Sequence, residues 1–105
     1  IIIGVNQTDY SGYPDCREPF VKALELALNL VSEEHIVFHS PLMRLTKAET
    51  FALSKEEGVL ELVINESHTC YNGDHTHKYT WGYGCGECPA CILRKMGWEA
   101  FSKEI

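Results

Sequence analysis

Apolar positions along this chain alternate between short unbroken runs and helical stripes, an order that predicts an α/β protein. Residues 1–5, IIIGV, form a β-branched run suited to a buried strand of a parallel sheet. Residues 6–14 are dense in turn formers and read as a loop leaving the carboxyl end of that strand, the edge of an open sheet that ligands favour. A helix then starts between Asp15 and Glu18, because Pro19 belongs in a first turn, with Val21, Leu24, Leu28 and Val31 as its apolar stripe and an end near Ser32. Residues 36–38 are a second strand-like run, stopped by Ser40 and Pro41, which completes a βαβ unit with a right-handed crossover. Thr46 and Glu49 make a T-x-x-E capping box for the next helix, and Gly58 is its stop. Residues 59–64, VLELVI, fit neither the helix nor the strand period. Residues 65–86 carry no apolar period, and a loop of that length needs something to hold it. Pro89 opens a last amphipathic helix with Ile92, Leu93, Met96 and Ala100 on its apolar face.

Length and charge narrow the classes. A chain of 105 residues has room for one modest core, and a lone strand at residues 1–5 cannot bury both of its faces. The run is therefore expected to lie inside a larger α/β protein, or in a sheet completed from elsewhere. A net charge of −6 with nine Lys and Arg argues against nucleic acid as a partner. No stretch approaches the roughly 20 apolar residues of a bilayer span and no basic-then-apolar export segment is present, so no membrane partner and a cytoplasmic location are expected.

Four of the five cysteines, Cys70, Cys85, Cys88 and Cys91, stand close together in the segment that needs holding. Cys88-Pro89-Ala90-Cys91 is a C-x-x-C knuckle at a helix start, Cys85-Gly86-Glu87-Cys88 overlaps it, and Cys70 lies one loop upstream. Four thiolates make the closed tetrahedral set that Zn²⁺ takes in structural sites, with Zn–S bonds of about 2.3 Å, and such a set leaves no open position for a substrate. Three other readings compete. An odd cysteine count without an export signal is poor material for a disulfide framework, and the thiols could also be plain reduced surface groups. C-x-x-C-x-x-C opens one iron–sulfur pattern, which needs a further cysteine close behind that is not found after Cys91. His68, His75 and His77 could each replace Cys70 as fourth ligand, or simply be solvated.

The loop after the first run holds Asp9, Tyr10, Ser11, Tyr13, Asp15 and Arg17. Acids that accept from ring N–H groups, aromatic faces that stack and a guanidinium that pairs bidentately suit a polar planar ligand. The rival is a capped loop, in which Asp15 caps the helix, Glu18 closes a D-x-x-E box and the tyrosines cover the core. Lys47 could present its charge to a phosphate or lie on the surface, and Arg94 could lie over the cysteine site or reach solvent.

Three segments taken together, GVNQTDYSGYPDCREPF, SPLMRLTKAET and SHTCYNGD…YGCGECPACILRKMGWEAF, closely resemble the carboxyl-terminal half of the 7-cyano-7-deazaguanine synthase family of queuosine biosynthesis, from Gly4 to Phe101. The resemblance implies the carboxyl-terminal part of an adenine-nucleotide α-hydrolase-like, Rossmann-like parallel sheet, with a four-cysteine zinc-binding subdomain. Residues 1–64 would be a βαβα portion carrying a substrate loop at 6–17, and residues 65–105 the zinc-binding subdomain with its terminal helix. It further implies an ATP-dependent carbon–nitrogen ligase that uses ATP with Mg²⁺ to convert 7-carboxy-7-deazaguanine and ammonia into the nitrile, possible as a homodimer. On this resemblance Cys70, Cys85, Cys88 and Cys91 are zinc ligands. Asp9, Tyr10, Ser11, Tyr13, Asp15 and Arg17 wall the substrate pocket, and Lys47 lies near the nucleotide phosphates as a catalytic residue. The family's S-G-G-x-D-S phosphate loop is not found in these residues, so it is expected upstream of Ile1 and the piece alone is expected to be inactive. A stand-alone, non-catalytic zinc-stabilised binding module is the alternative.

Overall fold

The computed structural model describes residues 1–7 and 13–103. Packing divides the chain into Ile1–Leu45 and Thr46–Ile105. The division expected after residue 64 is thus not where contacts thin out: residues 46–64 pack with the cysteine segment.

In the first unit, residues 1–3 and 37–39 run parallel. His39 N–H donates to the Ile1 carbonyl at 2.7 Å, and Ile3 N–H donates to the His39 carbonyl at 2.9 Å. The pairing amounts to one isolated bridge, Ile2 with His39. A parallel sheet is not formed among the described residues, where the only sheet is a small antiparallel one in the other unit. At the far edge of residues 36–38, side chains stand where a further strand would pair. Asn29 Nδ2 donates to the Ile36 carbonyl at 2.8 Å and its Oδ1 accepts from Ile36 N–H at 2.6 Å, while Glu25 Oε2 accepts from Phe38 N–H at 2.7 Å. Both acceptors come from α1 (Glu18–Val31), which follows a short 3₁₀ turn, Pro14–Cys16.

The apolar stripe expected on α1 is only partly covered. Val21 is buried, but Leu24 is exposed and Val31 is 84% exposed. Nor are residues 1–5 a buried run, since Ile1 and Ile2 face outward. Pro19 does lie in the first turn, yet the residue before the helix is Arg17 and no side chain caps it.

The helix that opens the second unit begins where the sequence placed it. Thr46 Oγ1 accepts from Glu49 N–H at 3.1 Å, and Glu49 Oε1 accepts from Thr46 N–H at 3.0 Å, a complete capping box for α2 (Lys47–Glu56). Gly58, at φ 75°, ends it: Gly58 N–H reaches the Lys55 carbonyl and Val59 N–H the Ser54 carbonyl, the paired bonds of a Schellman motif. The undecided stretch at 59–64 is helical, α3 (Leu60–Glu66). A two-stranded antiparallel hairpin follows, β1 (Lys78–Tyr79) and β2 (Gly82–Tyr83), and then α4 (Pro89–Lys103). Phe51 of α2 meets Trp98 of α4 edge-on at 5.2 Å, and Phe101 lies 6.0 Å from Phe51. The two helices cross tightly at Gly97, where an added Cβ would overlap Lys47 Cβ. The buried face of α4 is Ala90, Cys91, Arg94, Gly97 and Phe101. Ile92 and Met96, expected inside, are exposed.

Candidate functional site

Cys70, Cys85, Cys88 and Cys91 bring their sulfurs within 4.8 Å of one another, and Cys85 Sγ lies 3.9 Å from Cys91 Sγ. A tetrahedron with metal–sulfur bonds of about 2.3 Å has edges of about 3.8 Å, so the set fits one ion. A cluster of several irons would hold its four cysteine sulfurs farther apart. All five cysteines have free thiols, which removes the disulfide reading. His68, His75 and His77 are not part of the four-residue group.

Each ligand is placed by local backbone. Cys70 enters a tight turn in which Gly73 N–H donates to its carbonyl at 3.2 Å. Cys88 immediately precedes α4: its carbonyl accepts from Ile92 N–H, and its Sγ accepts from Cys91 N–H at 3.4 Å, so the sulfur fills the role of an N-cap oxygen. Cys91 then sits in the first turn with no solvent exposure. Gly84 passes so close that a Cβ there would come 2.6 Å from Cys91 Sγ, with the Trp81 ring on its other side. Trp81 is 3% exposed and stacks on Tyr79, with ring centroids 4.7 Å apart.

The four sulfurs differ in environment. Backbone N–H groups of Glu87 and Cys88 bring the Cys85 thiol down to about 6. Burial alone would push Cys70 up, but N–H groups of Cys85, Asp74 and Asn72 leave it below the usual thiol value. Burial pushes the Cys91 thiol up to about 12. A cation at the centre would favour the thiolate at all four, and soft thiolates select metals such as zinc.

Arg94 neither covers the cluster nor reaches solvent. It is 3% exposed and donates to three carbonyls: Trp81 at 2.7 Å, Ser67 at 3.3 Å and Val63 at 3.2 Å. It thereby ties the end of α3 and the hairpin to α4, one turn after Cys91. Its spacing of three from Cys91 places it on the same helix face, a signal present in the sequence. His75 lies flat on Tyr83 at 4.2 Å, and Asp74 closes its own loop by accepting from Thr76 and His77 N–H groups.

In the other unit, Asp9, Tyr10 and Ser11 lie outside the described residues. Tyr13 precedes the 3₁₀ turn, and Arg17 Nε donates to the Pro14 carbonyl at 3.1 Å. Asp15 is exposed and caps no helix, and Glu18 pairs with Arg44 at 2.9 Å instead of closing a D-x-x-E box. The capped-loop reading of those two acids therefore fails. Lys47 is the half-buried first residue of α2, packed at the crossing with Gly97. No helix among the described residues is long and apolar enough to cross a membrane.

Comparison with known proteins adds what geometry cannot. A 7-cyano-7-deazaguanine synthase of Wolinella succinogenes is 59% identical over 105 residues, all of this chain and 45% of that protein. Proteins of the same name from Alkalilimnicola ehrlichii and Helicobacter pylori are 55% and 56% identical, over 94% and 96% of this chain. The chain thus spans about 45% of the length of the curated relatives it matches. Residues 1–102 match the family described as queuosine biosynthesis protein QueC, and the chain belongs to that family.

Proposed function

We propose that this chain is the carboxyl-terminal part of an ATP-dependent ligase that converts 7-carboxy-7-deazaguanine and ammonia into 7-cyano-7-deazaguanine, a queuosine precursor. The observation that carries the reading is 59% identity, across the whole chain, to a protein named for that synthesis. A carboxylate is a poor electrophile, so the reaction needs its oxygen made into a leaving group. Attack of that oxygen on the α-phosphorus of ATP expels pyrophosphate, and ammonia then displaces AMP to leave an amide and a proton. A second adenylation, on the amide oxygen, lets AMP depart with that oxygen as the C≡N bond forms and two protons leave nitrogen.

Four thiolates and no open position make the cysteine centre architectural, and zinc is the ion that suits it. Bound there, it supplies a cross-link among α4, the hairpin and the turn at Cys70. The proposed pocket wall is the loop of Asp9, Tyr10, Ser11, Tyr13, Asp15 and Arg17. The exposed Asp15 carboxylate has no hydrogen bond among the described residues, which leaves it available for the N–H groups of a purine-like ring. Lys47, at the start of α2, is assigned to the nucleotide phosphates. ATP with Mg²⁺ is assigned to the intact protein, together with an S-G-G-x-D-S loop that these residues do not supply.

The test is turnover by the intact protein given 7-carboxy-7-deazaguanine, ammonia and Mg-ATP, followed by mass spectrometry of product and AMP. Nitrile and AMP are expected together, and neither forming would overturn the ligase reading. Asp15→Ala with full zinc content is expected to lose substrate binding, and Lys47→Ala to raise the KM for ATP. Unchanged values would remove Asp15 from the pocket wall and leave Lys47 with its packing at the Gly97 crossing alone.

A further inference from the structure

Cys85 is the half-buried corner of a centre whose other three sulfurs belong to buried residues. Its Sγ accepts from three donors: Cys88 N–H at 3.2 Å, Glu87 N–H at 3.4 Å and the Asn72 side-chain Nδ2 at 3.4 Å. The first two come with the backbone curl of the knuckle and survive any side-chain change. Asn72 is different, because it reaches across from the other arm of the site. It sits in the turn that Gly73 N–H closes on the Cys70 carbonyl, so one turn holds Cys70 through its backbone and Cys85 through a side chain. Amide rather than carbonyl must face the sulfur, since an oxygen would point its lone pairs at a thiolate.

We infer that Asn72 is a positioning residue of the cysteine centre, whose amide holds Cys85 in the four-sulfur set and withdraws charge from its solvent-facing side. The inference rests on the reading that the centre holds zinc. A four-thiolate zinc site carries a net charge of −2, and the excess sits on the sulfurs. Each N–H···S bond spreads some of it, which makes that sulfur a weaker nucleophile and a less ready base. Remove the donor, and the exposed corner becomes the place where a proton or electrophile opens the site.

The test uses the intact zinc-loaded protein with Asn72→Ser and Asn72→Asp. Both residues suit the same turn, but the serine hydroxyl is too short to reach Cys85 and the aspartate turns an oxygen toward it. Zinc release to a chromogenic chelator should speed up about tenfold in Asn72→Ser, the low end of outer-partner losses, and more in Asn72→Asp. Limiting iodoacetamide then reports the corner that opens: sulfur takes the carbon, iodide leaves, and the metal–sulfur bond is lost. Peptide mapping should show the first alkylation shifting toward Cys85 in both variants relative to the parent. Wild-type release in Asn72→Ser overturns the inference, as does alkylation that rises equally at all four cysteines; faster release in Asn72→Asp alone is then an effect of added charge. Purified parent protein without zinc overturns the metal reading itself, a separate outcome read before any variant is made.

Discussion

In Thr46–Ile105 the chain buries Phe51, Trp81, Phe101 and three of the four clustered cysteines, whereas among the described residues of Ile1–Leu45 the buried apolar side chains are Val21 and Met43. Leu26, Leu30 and Val31 of α1 are 62%, 77% and 84% exposed. One unit therefore closes on its own contents, with aromatic packing on one side and a sulfur centre on the other. The other ties residues 36–38 to α1 by hydrogen bonds but leaves apolar side chains of that helix exposed. The difference shows that hydrogen bonding and burial can be completed separately. Asn29 and Glu25 bond the amide groups of Ile36 and Phe38, while Val37 between them stays 40% exposed.

The largest expected effect on this contrast comes from the metal. Structural zinc contributes roughly 10 to 16 kcal/mol in finger peptides, as much as a small domain's whole stability. Stripping it should abolish the near-ultraviolet signal of Trp81 and Trp98 and raise amide exchange through residues 46–103 far more than through 1–7 and 13–45. Equal changes in both units would break the contrast. Next is Arg94→Met, which leaves three carbonyls without their donor. A loss of about 3 kcal/mol is expected from the denaturant midpoint, and Arg94→Lys should recover only part, because one ammonium cannot span the fork. Asn29→Ala should cost about 1 kcal/mol and speed exchange at the Ile36 amide. A cost as large as that of Arg94→Met would mean that the first unit is as tightly determined as the second.

The smallest effect concerns Asp74, whose carboxyl the neighbouring His77 ring and the N–H groups of Thr76 and His77 hold well below the usual carboxylate range. A depressed value means that its contribution is present above about pH 3.9 and fades as acid protonates the folded form. Asp74→Asn should remove that acid dependence from exchange at Thr76 and His77 and leave α4 unchanged. Altered protection in α4 would show the loop and the helix to be one cooperative piece.

Short-range signals carried well from sequence to structure. The capping box at Thr46 and Glu49, the stop at Gly58 and the first turn at Pro89 depend on neighbours within a few residues, and all formed. Three of the four clustered cysteines, Cys85, Cys88 and Cys91, converged for the same reason, while Cys70 comes from a loop well upstream. Longer-range burial was harder to read. On α4 the apolar look of Ile92 and Met96 outweighed a face made of Ala90, Cys91, Arg94 and Gly97, whose small or polar side chains belong inside because a helix and a sulfur centre press on them. Residues 1–5 read as buried because β-branched runs usually are, but burial needs a second layer and sequence does not say who supplies it. The helix start between Asp15 and Glu18 held, but the rival D-x-x-E box did not form, because the 3₁₀ turn at Pro14–Cys16 takes up Asp15 and leaves its carboxylate outside the helix that opens at Glu18.

The position of Cys88 and Cys91 at the head of a fifteen-residue helix has a consequence for the order of events during folding. Those two sulfurs are set one turn apart by the first coil of α4 alone, without need of the hairpin. An ion met early can be gripped at that half-site and wait, with Cys85 and Cys70 delivered afterwards as the intervening chain folds back. Assembly would then run from the helix outward, and the last sulfur to arrive from the more distant loop would decide when the structure locks.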